Sequence, residues 1–555
     1  KNKYDANNNG IFDFVIGIGN DYDGVDLNRN YDFNWIFGDA IYSTDSGCGA
    51  NPSYIANYDY YRGPDPFSEQ EVIAIRDFVL DKDFLLSIAY HSSRSGCVAE
   101  KVIYPWEWDV NKKSPDFDII SRLGFEMSQL LPKEAESGFY AAASSISRRG
   151  NAHDWTYANT GCIQYLVEVG TENMQSSDVD VINETVEKNV ISALHLLKRT
   201  AGTNIQNGPE RYQITGIITD AQTGNPLEAE VWIDELNGPM LKPRYSDEFG
   251  RYRRLLIEGT YTINFRLFGY ETQSYTFVPS SSQITEYNVS MIPLQNFNFN
   301  LDLDLPLPFD EVLYTVISSE AYQDTLIDNY DISLYIPMGE YDILVYSDNL
   351  YPERFSITLD SDISIDKDLK WKSAIFYDDF LSLDNWDTQG WSWNDGMVLS
   401  QSDFLYGHSL DNELISSLDI SAGDYIMNVN LKYEIEWDYD SLQFGVSVSN
   451  GNIPFYALTG HDYELNNHFV PFSIDSDGYL YFNFSSDSSL NYRGVGIDYL
   501  GVYKKPEGEC DTGDLNQDSI IDILDVIDLA AIALSGNYSA FEGCISDLYV
   551  DDIVN

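Results

Sequence analysis

The sequence predicts a multidomain protein in which an α/β domain is followed by β-sandwich domains and a small α-helical, cation-binding module. Three observations lead there. Apolar, strand-like runs, two of which carry His91 and Glu168, alternate with helix-forming stretches as far as Lys198 and Arg199. From Tyr212 onward, short alternating strands broken by Gly-containing turns take over. Near the C-terminus, side-chain oxygens recur at cation-binding spacing from Asp514 to Asp525, ahead of an apolar helix. At 555 residues the chain exceeds the ~250–300 residues at which single cores stop growing.

Composition narrows the setting. With 32 Lys and Arg against 89 Asp and Glu, the net charge of −57 repels nucleic acid and anionic membranes, which excludes a general binder of either. It favours a secreted, soluble protein in a calcium-rich or saline medium. No apolar run reaches the ~18–20 residues of a membrane span. Five cysteines are few for this length. Cys510 and Cys544 bracket the C-terminal helical segment and are able to pair in an oxidising compartment, while Cys48, Cys97 and Cys162 leave at least one thiol free. Their connectivity stays open.

Within the first domain the segment Gly24-Val-Asp-Leu-Asn-Arg-Asn30 contains Asn28 and Arg29. A planar guanidinium takes a carboxylate through two parallel charge-assisted hydrogen bonds, and a neighbouring amide adds a third contact. Alone, the pair is an ordinary surface turn. The loop Tyr61 to Phe67 then runs into an amphipathic helix with Ser68 as its expected N-cap. Leu85 to Ser92 reads as a buried strand that delivers His91 to a sheet edge, where an imidazole reaches a metal. Asp154-Trp-Thr-Tyr157 precedes a second apolar strand, Tyr165 to Thr171, that carries Glu168 where a carboxylate is costly.

In this order the segments resemble the zinc metallocarboxypeptidases of the carboxypeptidase A, B and T type. The resemblance implies an α/β mixed-sheet metallocarboxypeptidase domain over residues 1–202, with Zn2+ as its cofactor and peptide or protein C-termini as substrates. It makes His91 the third zinc ligand and Glu168 the general base that takes a proton from the attacking water. Asn28 and Arg29 hold the substrate's C-terminal carboxylate. Asp26 stands where the family orients a metal-bound imidazole, or is simply a turn residue. His153 occupies the position that sets side-chain preference in the family's S1′ pocket; with Arg148 and Arg149 it points to acidic or polar C-terminal residues, the alternative being a partly exposed loop histidine with no role in selection.

The chain also departs from the family. The first two zinc ligands belong to a His-x-x-Glu motif well upstream of the Asn-Arg pair, and only 27 residues precede Asn28. The expectation is therefore an N-terminally truncated domain, with two ligands and the oxyanion-stabilising arginine outside this sequence and no activity as it stands. His461-Asp-Tyr-Glu464 has the motif's letters but lies in a different domain, and reads as coincidence. The family's mobile tyrosine falls by ungapped count on Ile146, with Tyr140 near enough to replace it only if the loop is rearranged.

Downstream, residues 211–293 resemble the transthyretin-like regulatory β-sandwich found behind many carboxypeptidases, residues 294–372 form a β-rich Ig-like domain, and residues 373–504 resemble a jelly-roll sandwich. Trp386, Trp391 and Trp393 pack that sandwich, with sugar stacking as the lesser alternative. Residues 510–555 resemble a dockerin-like calcium module, truncated after the start of a second loop at Asp547. Its ladder is Asp514, Asn516, Asp518, Asp522 and Asp525, at loop positions 1, 3, 5, 9 and 12, with Ser519 in place of the turn glycine. Asp5 to Asp13 has similar spacing but reads as a flexible acidic loop. The implied partner is a cohesin-like or cell-surface protein, and the location extracellular. The function expected is a secreted zinc carboxypeptidase. The alternatives are a noncatalytic, surface-attached binding or adhesion protein with a degenerate peptidase domain, and a cell-wall peptide amidase.

Overall fold

The computed structural model describes residues 24–38, 61–92, 100–134, 137–170, 178–202, 209–306, 309–394, 396–401, 403–504, 515 and 523–535. They fall in two units, Lys1–Pro293 and Leu294–Asn555.

The first unit begins with a 3-10 turn, Leu27–Arg29, and helix α1, Gln70–Leu80. Strands β1 (Leu86–Ser92), β2 (Lys101–Tyr104), β3 (Glu107–Asp109) and β4 (Lys112–Lys113) follow. After them come α2 (Phe117–Ser128), β5 (Ala141–Ser144), α3 (Ala152–Thr160), β6 (Ile163–Val169) and α4 (Val179–Ala201). The main sheet has the order β1-β6-β2-β5. β1 runs parallel to β6, β2 runs antiparallel to β6, and β5 runs parallel to β2, so the sheet is mixed. β6 is buried along all but its last residue, as a strand covered on both faces must be. Helix α2 packs Ile119, Ile120, Leu123 and Met127 into a core shared with Val102, Tyr165 and Val167. Gly124 makes that contact possible, since a Cβ there would stand 2.6 Å from the Tyr104 ring.

Helix α1 starts later than the Ser68 cap predicts. Glu69 holds the N-cap position without a side-chain cap. The Ser68 hydroxyl is engaged elsewhere, accepting from Asn30 Nδ2 at 3.0 Å and donating to Glu69 Oε1. Asn30 is wholly buried and also donates to the Arg62 and Asp65 carbonyls while accepting from the Glu69 amide. One saturated amide thereby ties the 24–38 segment to the start of α1.

Helix α4 is capped by Asp178, whose carboxylate accepts from Asp180 N at 2.9 Å, and closes on Gly202 at φ 63°. Its last carbonyls meet the next layer: Arg253 donates to Thr200 O and Gln213 to Arg199 O, which satisfies groups a helix terminus leaves open. That layer holds β7 (Gln213–Asp220), β8 (Glu230–Ile233), β9 (Arg251–Leu255), β10 (Tyr261–Arg266), β11 (Gln273–Phe277), β12 (Thr285–Glu286) and β13 (Val289–Met291). One sheet has the order β11-β10-β8; in the other β7 pairs with β9, β12 and β13. The two share a core that includes Ile214, Val231, Ile263, Phe265 and Met291. Arg244 joins this layer to the α/β layer: Nη1 and Nη2 donate to Asp116 Oδ2 at 3.2 Å, and Tyr157 donates to the same oxygen at 2.6 Å.

In the second unit Asn296–Asp304 is the centre of a three-stranded sheet, accompanied by a four-stranded one. Sheets of six and five strands follow, between Ser373 and Lys504. Trp386 and Trp391 are buried with their indole N–H groups donating to Asp378 and to the Asn412 carbonyl, whereas Trp393 is about half exposed. His461 and Glu464 lie on one strand, His461–Ile474. Their spacing of three puts them on opposite faces, so they do not form a chelating pair. Helix α5 spans Ile523–Ser535, and Asp525, buried, accepts from Leu515 N at 2.8 Å. Asp514, Asn516, Asp518 and Asp522 lie outside the described residues, as do Asp5 to Asp13, Asp547 and every cysteine but the buried Cys162. No helix among the described residues is long and apolar enough to cross a membrane.

Candidate active site

An imidazole and a carboxylate meet where β1 and β6 end. His91 and Glu168 are register partners across these parallel strands, so both stand at the C-terminal ends of their strands and on the same face of the sheet. Glu168 is only 7% exposed. Lys101 on β2 is the third member of that rung.

Arg29 is brought to this region by a network that runs through the start of α3. Asp26 caps the 3-10 turn by accepting from Asn28 N at 3.1 Å, and sits 4.0 Å from Arg29 Nε. The Asn28 side chain accepts from Ala152 N at 2.9 Å, which satisfies one of the open amides at the start of α3. Arg29 Nη1 donates to the Asn28 carbonyl at 2.8 Å and to Asn151 Oδ1 at 3.0 Å. Asn151 in turn donates to Asp154 Oδ2 at 3.0 Å, and Ser145 donates to the same oxygen at 3.1 Å. The turn is held from behind by Tyr31, whose ring packs at 5.5 Å from Trp155 and 5.8 Å from Phe67. Gly150, at φ 68°, closes the network, because a Cβ there would lie 2.5 Å from the Arg29 carbonyl.

His153 lies within α3 and is 3% exposed, so it is a buried helix residue and not an exposed loop histidine. Neither ring nitrogen has a hydrogen-bond partner among the described residues. Burial, followed by the positive fields of Arg29 and His91, pulls its pKa down to about 3. Burial pushes Asp154 up to about 7, against hydrogen bonds from Asn151 and Ser145 that favour the carboxylate. His153 Nε2 and Asp154 Oδ1 are 3.8 Å apart; because burial holds the imidazole neutral, the two do not form an ion pair. The field of both Arg29 and His91 at one buried imidazole brings His153 into the same neighbourhood as the other two.

Other residues fall elsewhere. Ile146 is 81% exposed. Tyr140, the nearby tyrosine, belongs to the core and accepts from Gly170 N through its hydroxyl; it would have to leave that core to close over a substrate. Arg148 stacks on Phe37, 4.6 Å from the ring centroid. Asn151 and Ser145 escaped the sequence reading. An Asn just before a helix reads as a cap, yet its side chain makes no cap bond here and bridges Arg29 to Asp154.

For a zinc ion the described residues offer the His91 imidazole at a strand end, a donor that suits it in type, with the Glu168 carboxylate beside it. Among the described residues the one group of three or more clustered metal-ligating side chains is Glu436, Asp440 and Asp487, in the second unit.

Parts of this chain are similar to curated carboxypeptidases. Carboxypeptidase D of Anas platyrhynchos is 26% identical over 262 residues, covering 42% of this chain and 17% of that protein. Carboxypeptidase D of Homo sapiens is 24% identical over 263 residues, covering 42% of this chain and 18% of that protein. Carboxypeptidase B of Astacus astacus is 33% identical over 85 residues, covering 15% of this chain and 22% of that protein. The chain thus spans less than a quarter of the length of these relatives. The zinc carboxypeptidase family model matches residues 1–192, so the family likeness resides in the segment that holds Asn28, Arg29, His91, His153 and Glu168.

Proposed function

We propose that residues 1–202 form the catalytic domain of a secreted zinc carboxypeptidase that removes single amino acids from peptide C-termini. The observation that carries this reading is the shared rung of His91 and Glu168, with Arg29 held near it by Asn28 and Asn151. His91 is one ligand of the metal. Zinc, when bound, supplies a Lewis acid for the scissile carbonyl and for water. Glu168 accepts the proton of the attacking water and passes it to the leaving amine, a transfer its position on the strand end and its partial enclosure support. Arg29 takes the substrate's terminal carboxylate bidentately, and Asn28 keeps the turn in place through Ala152 N.

His153 is the residue in which this reading sets side-chain preference. A buried neutral imidazole has one donor and one acceptor nitrogen, both without partners here. That favours a C-terminal residue with a polar side chain, which satisfies both nitrogens, over an aliphatic one, which leaves them desolvated. Residues 211–293 act as a transthyretin-like scaffold for the catalytic layer, and residues 294–372 and 373–504 as further Ig-like and jelly-roll sandwiches. Residues 510–555 act as a dockerin-like module that binds Ca2+ through Asp514, Asn516, Asp518, Asp522 and Asp525 and docks to a cohesin-like or cell-surface protein.

The test uses the full-length natural polypeptide loaded with zinc and a mixed peptide library, free or C-terminally amidated. Release of C-terminal residues from the free peptides, lost in Glu168→Gln, supports the proposal. No release from folded, zinc-loaded protein overturns it and favours a noncatalytic binding protein; release from amidated peptides at equal rate favours a peptide amidase.

A further inference from the structure

β2 brings a third polar group to the face of the sheet that carries His91 and Glu168. Val102 and Tyr104 are buried in the core with α2, so Lys101 and Ile103, which alternate with them, stand on the opposite face. Lys101 is the register partner of Glu168, and Glu168 of His91. An imidazole, a carboxylate and an ammonium thus lie across three neighbouring strands on one side of the sheet. With strands about 4.8 Å apart, Lys101 is on the far side of Glu168 from His91.

Lys101 is partly exposed and has no hydrogen-bond or ion-pair partner among the described residues. The carboxylates close to it along the chain are engaged otherwise: Glu100 accepts from Glu134 N at 2.6 Å, and Glu107 pairs with Lys113 at 3.0 Å. Glu168 is its neighbour across the rung, and even these two make no ion pair. The ammonium keeps its three donors for a ligand.

The other end of β2 belongs to the residues that hold Arg29. Tyr104 O accepts from Ser145 N at 2.8 Å. Ser145 Oγ accepts from Asn151 Nδ2 at 3.3 Å, and Asn151 Oδ1 accepts from Arg29 Nη1 at 3.0 Å. From Tyr104 to Lys101 the strand covers about 10 Å. A peptide whose terminal carboxylate is at Arg29 and whose scissile carbonyl is at the His91–Glu168 rung therefore reaches the Lys101 end of β2 with the residue on the amino side of the scissile bond. An unpaired ammonium there discriminates by charge: an acidic side chain gains a charge-assisted hydrogen bond, a neutral polar one a weaker bond, and a basic one is repelled. The net charge of −57 repels acidic peptides at long range, but salt screens that field within about 8 Å, so the local ammonium decides at the site.

We propose that Lys101 is a specificity-determining residue that takes an acidic side chain on the penultimate residue of the substrate. This inference rests on the carboxypeptidase reading given above and adds a second point of selection to it, on the other side of the scissile bond from His153.

The zinc-loaded full-length natural polypeptide, given peptides that share a C-terminal residue and differ only in a penultimate Glu, Gln or Lys, tests it. The expected order of kcat/KM is Glu, then Gln, then Lys, with Glu ahead of Gln by about fivefold to tenfold. Lys101→Arg should keep that order. Lys101→Met should lose or invert it, because Glu168 then faces the substrate alone, and Lys101→Glu should put the Lys peptide first. Calorimetric titration of the same peptides into zinc-loaded Glu168→Gln protein, which holds them uncut, should give the same order in Kd, erased when Lys101→Met is added. Release by wild type without a penultimate preference overturns this inference alone, as does a preference that survives in Lys101→Met, or an equal fall on all three peptides, which marks a structural role. No release from any peptide overturns it together with the carboxypeptidase reading.

Discussion

His91 and Glu168 occupy one rung of the parallel pair β1–β6. An imidazole and a carboxylate 77 positions apart by their residue numbers are thereby fixed side by side by backbone hydrogen bonds, and neither depends on a loop for its position. Strand ends give a site this rigidity at low cost, because the remainder of each strand is already anchored in the core.

Arg29 is held by residues whose loss should be felt in substrate binding more than in turnover. Arg29→Met is expected to raise KM for peptides with a free C-terminus by about tenfold to a hundredfold, as loss of a charge-assisted pair does, while the activity that remains no longer distinguishes free from amidated peptides. Steady-state kinetics on matched peptide pairs checks this.

Asn28→Ala leaves Ala152 N without its partner at the start of α3. The cost is expected to be about 1–2 kcal/mol in urea unfolding, the range for losing a helix N-terminal acceptor. A change below a few tenths of that range would show that water replaces the amide.

Gly150→Ala is expected to displace Arg29. The backbone at φ 68° disfavours a side chain, and the added Cβ meets the Arg29 carbonyl at 2.5 Å. A destabilisation of about 1–3 kcal/mol, together with a raised KM for free C-termini, is the expected pairing of effects.

The pair His153 and Asp154 gives the fold opposing pH dependences. His153, pulled down to about 3, supports the fold fully above the ordinary histidine range and loses that support as pH falls toward its folded value. Asp154, pushed up to about 7, supports the fold fully below the ordinary carboxylate range and loses that support as pH rises through about 7. Urea unfolding as a function of pH is expected to show a smaller acid loss in His153→Gln and a smaller loss toward neutral pH in Asp154→Asn. Parallel pH profiles for wild type and both variants would contradict the assignment.

Arg244→Met removes the hydrogen bonds that Asp116, itself bonded to Tyr157, receives from Arg244 of the β7–β13 layer. With Asp116 and Arg244 both nearly buried, the loss is expected to reach about 3–5 kcal/mol, measured as a lowered urea midpoint.

Much of the architecture was legible because it rests on local pattern. The apolar runs around His91 and Glu168 became β1 and β6, and the polar stretch after Arg199 precedes a change from helices to short strands. What sequence did not reveal depends on contacts distant in the chain. Ser68 reads as a cap until Asn30, 38 positions away, claims its hydroxyl. Asn151 reads as a cap until Arg29, 122 positions away, claims its amide oxygen. The burial of His153 follows from packing that no short window displays.

The most direct test of the catalytic reading is the release of C-terminal amino acids by the zinc-loaded full-length polypeptide, compared with its Glu168→Gln variant. The account predicts release that falls about 10²–10⁴-fold in the variant, the range of a lost general base, with zinc content and fold unchanged. Equal release by the two proteins would contradict it.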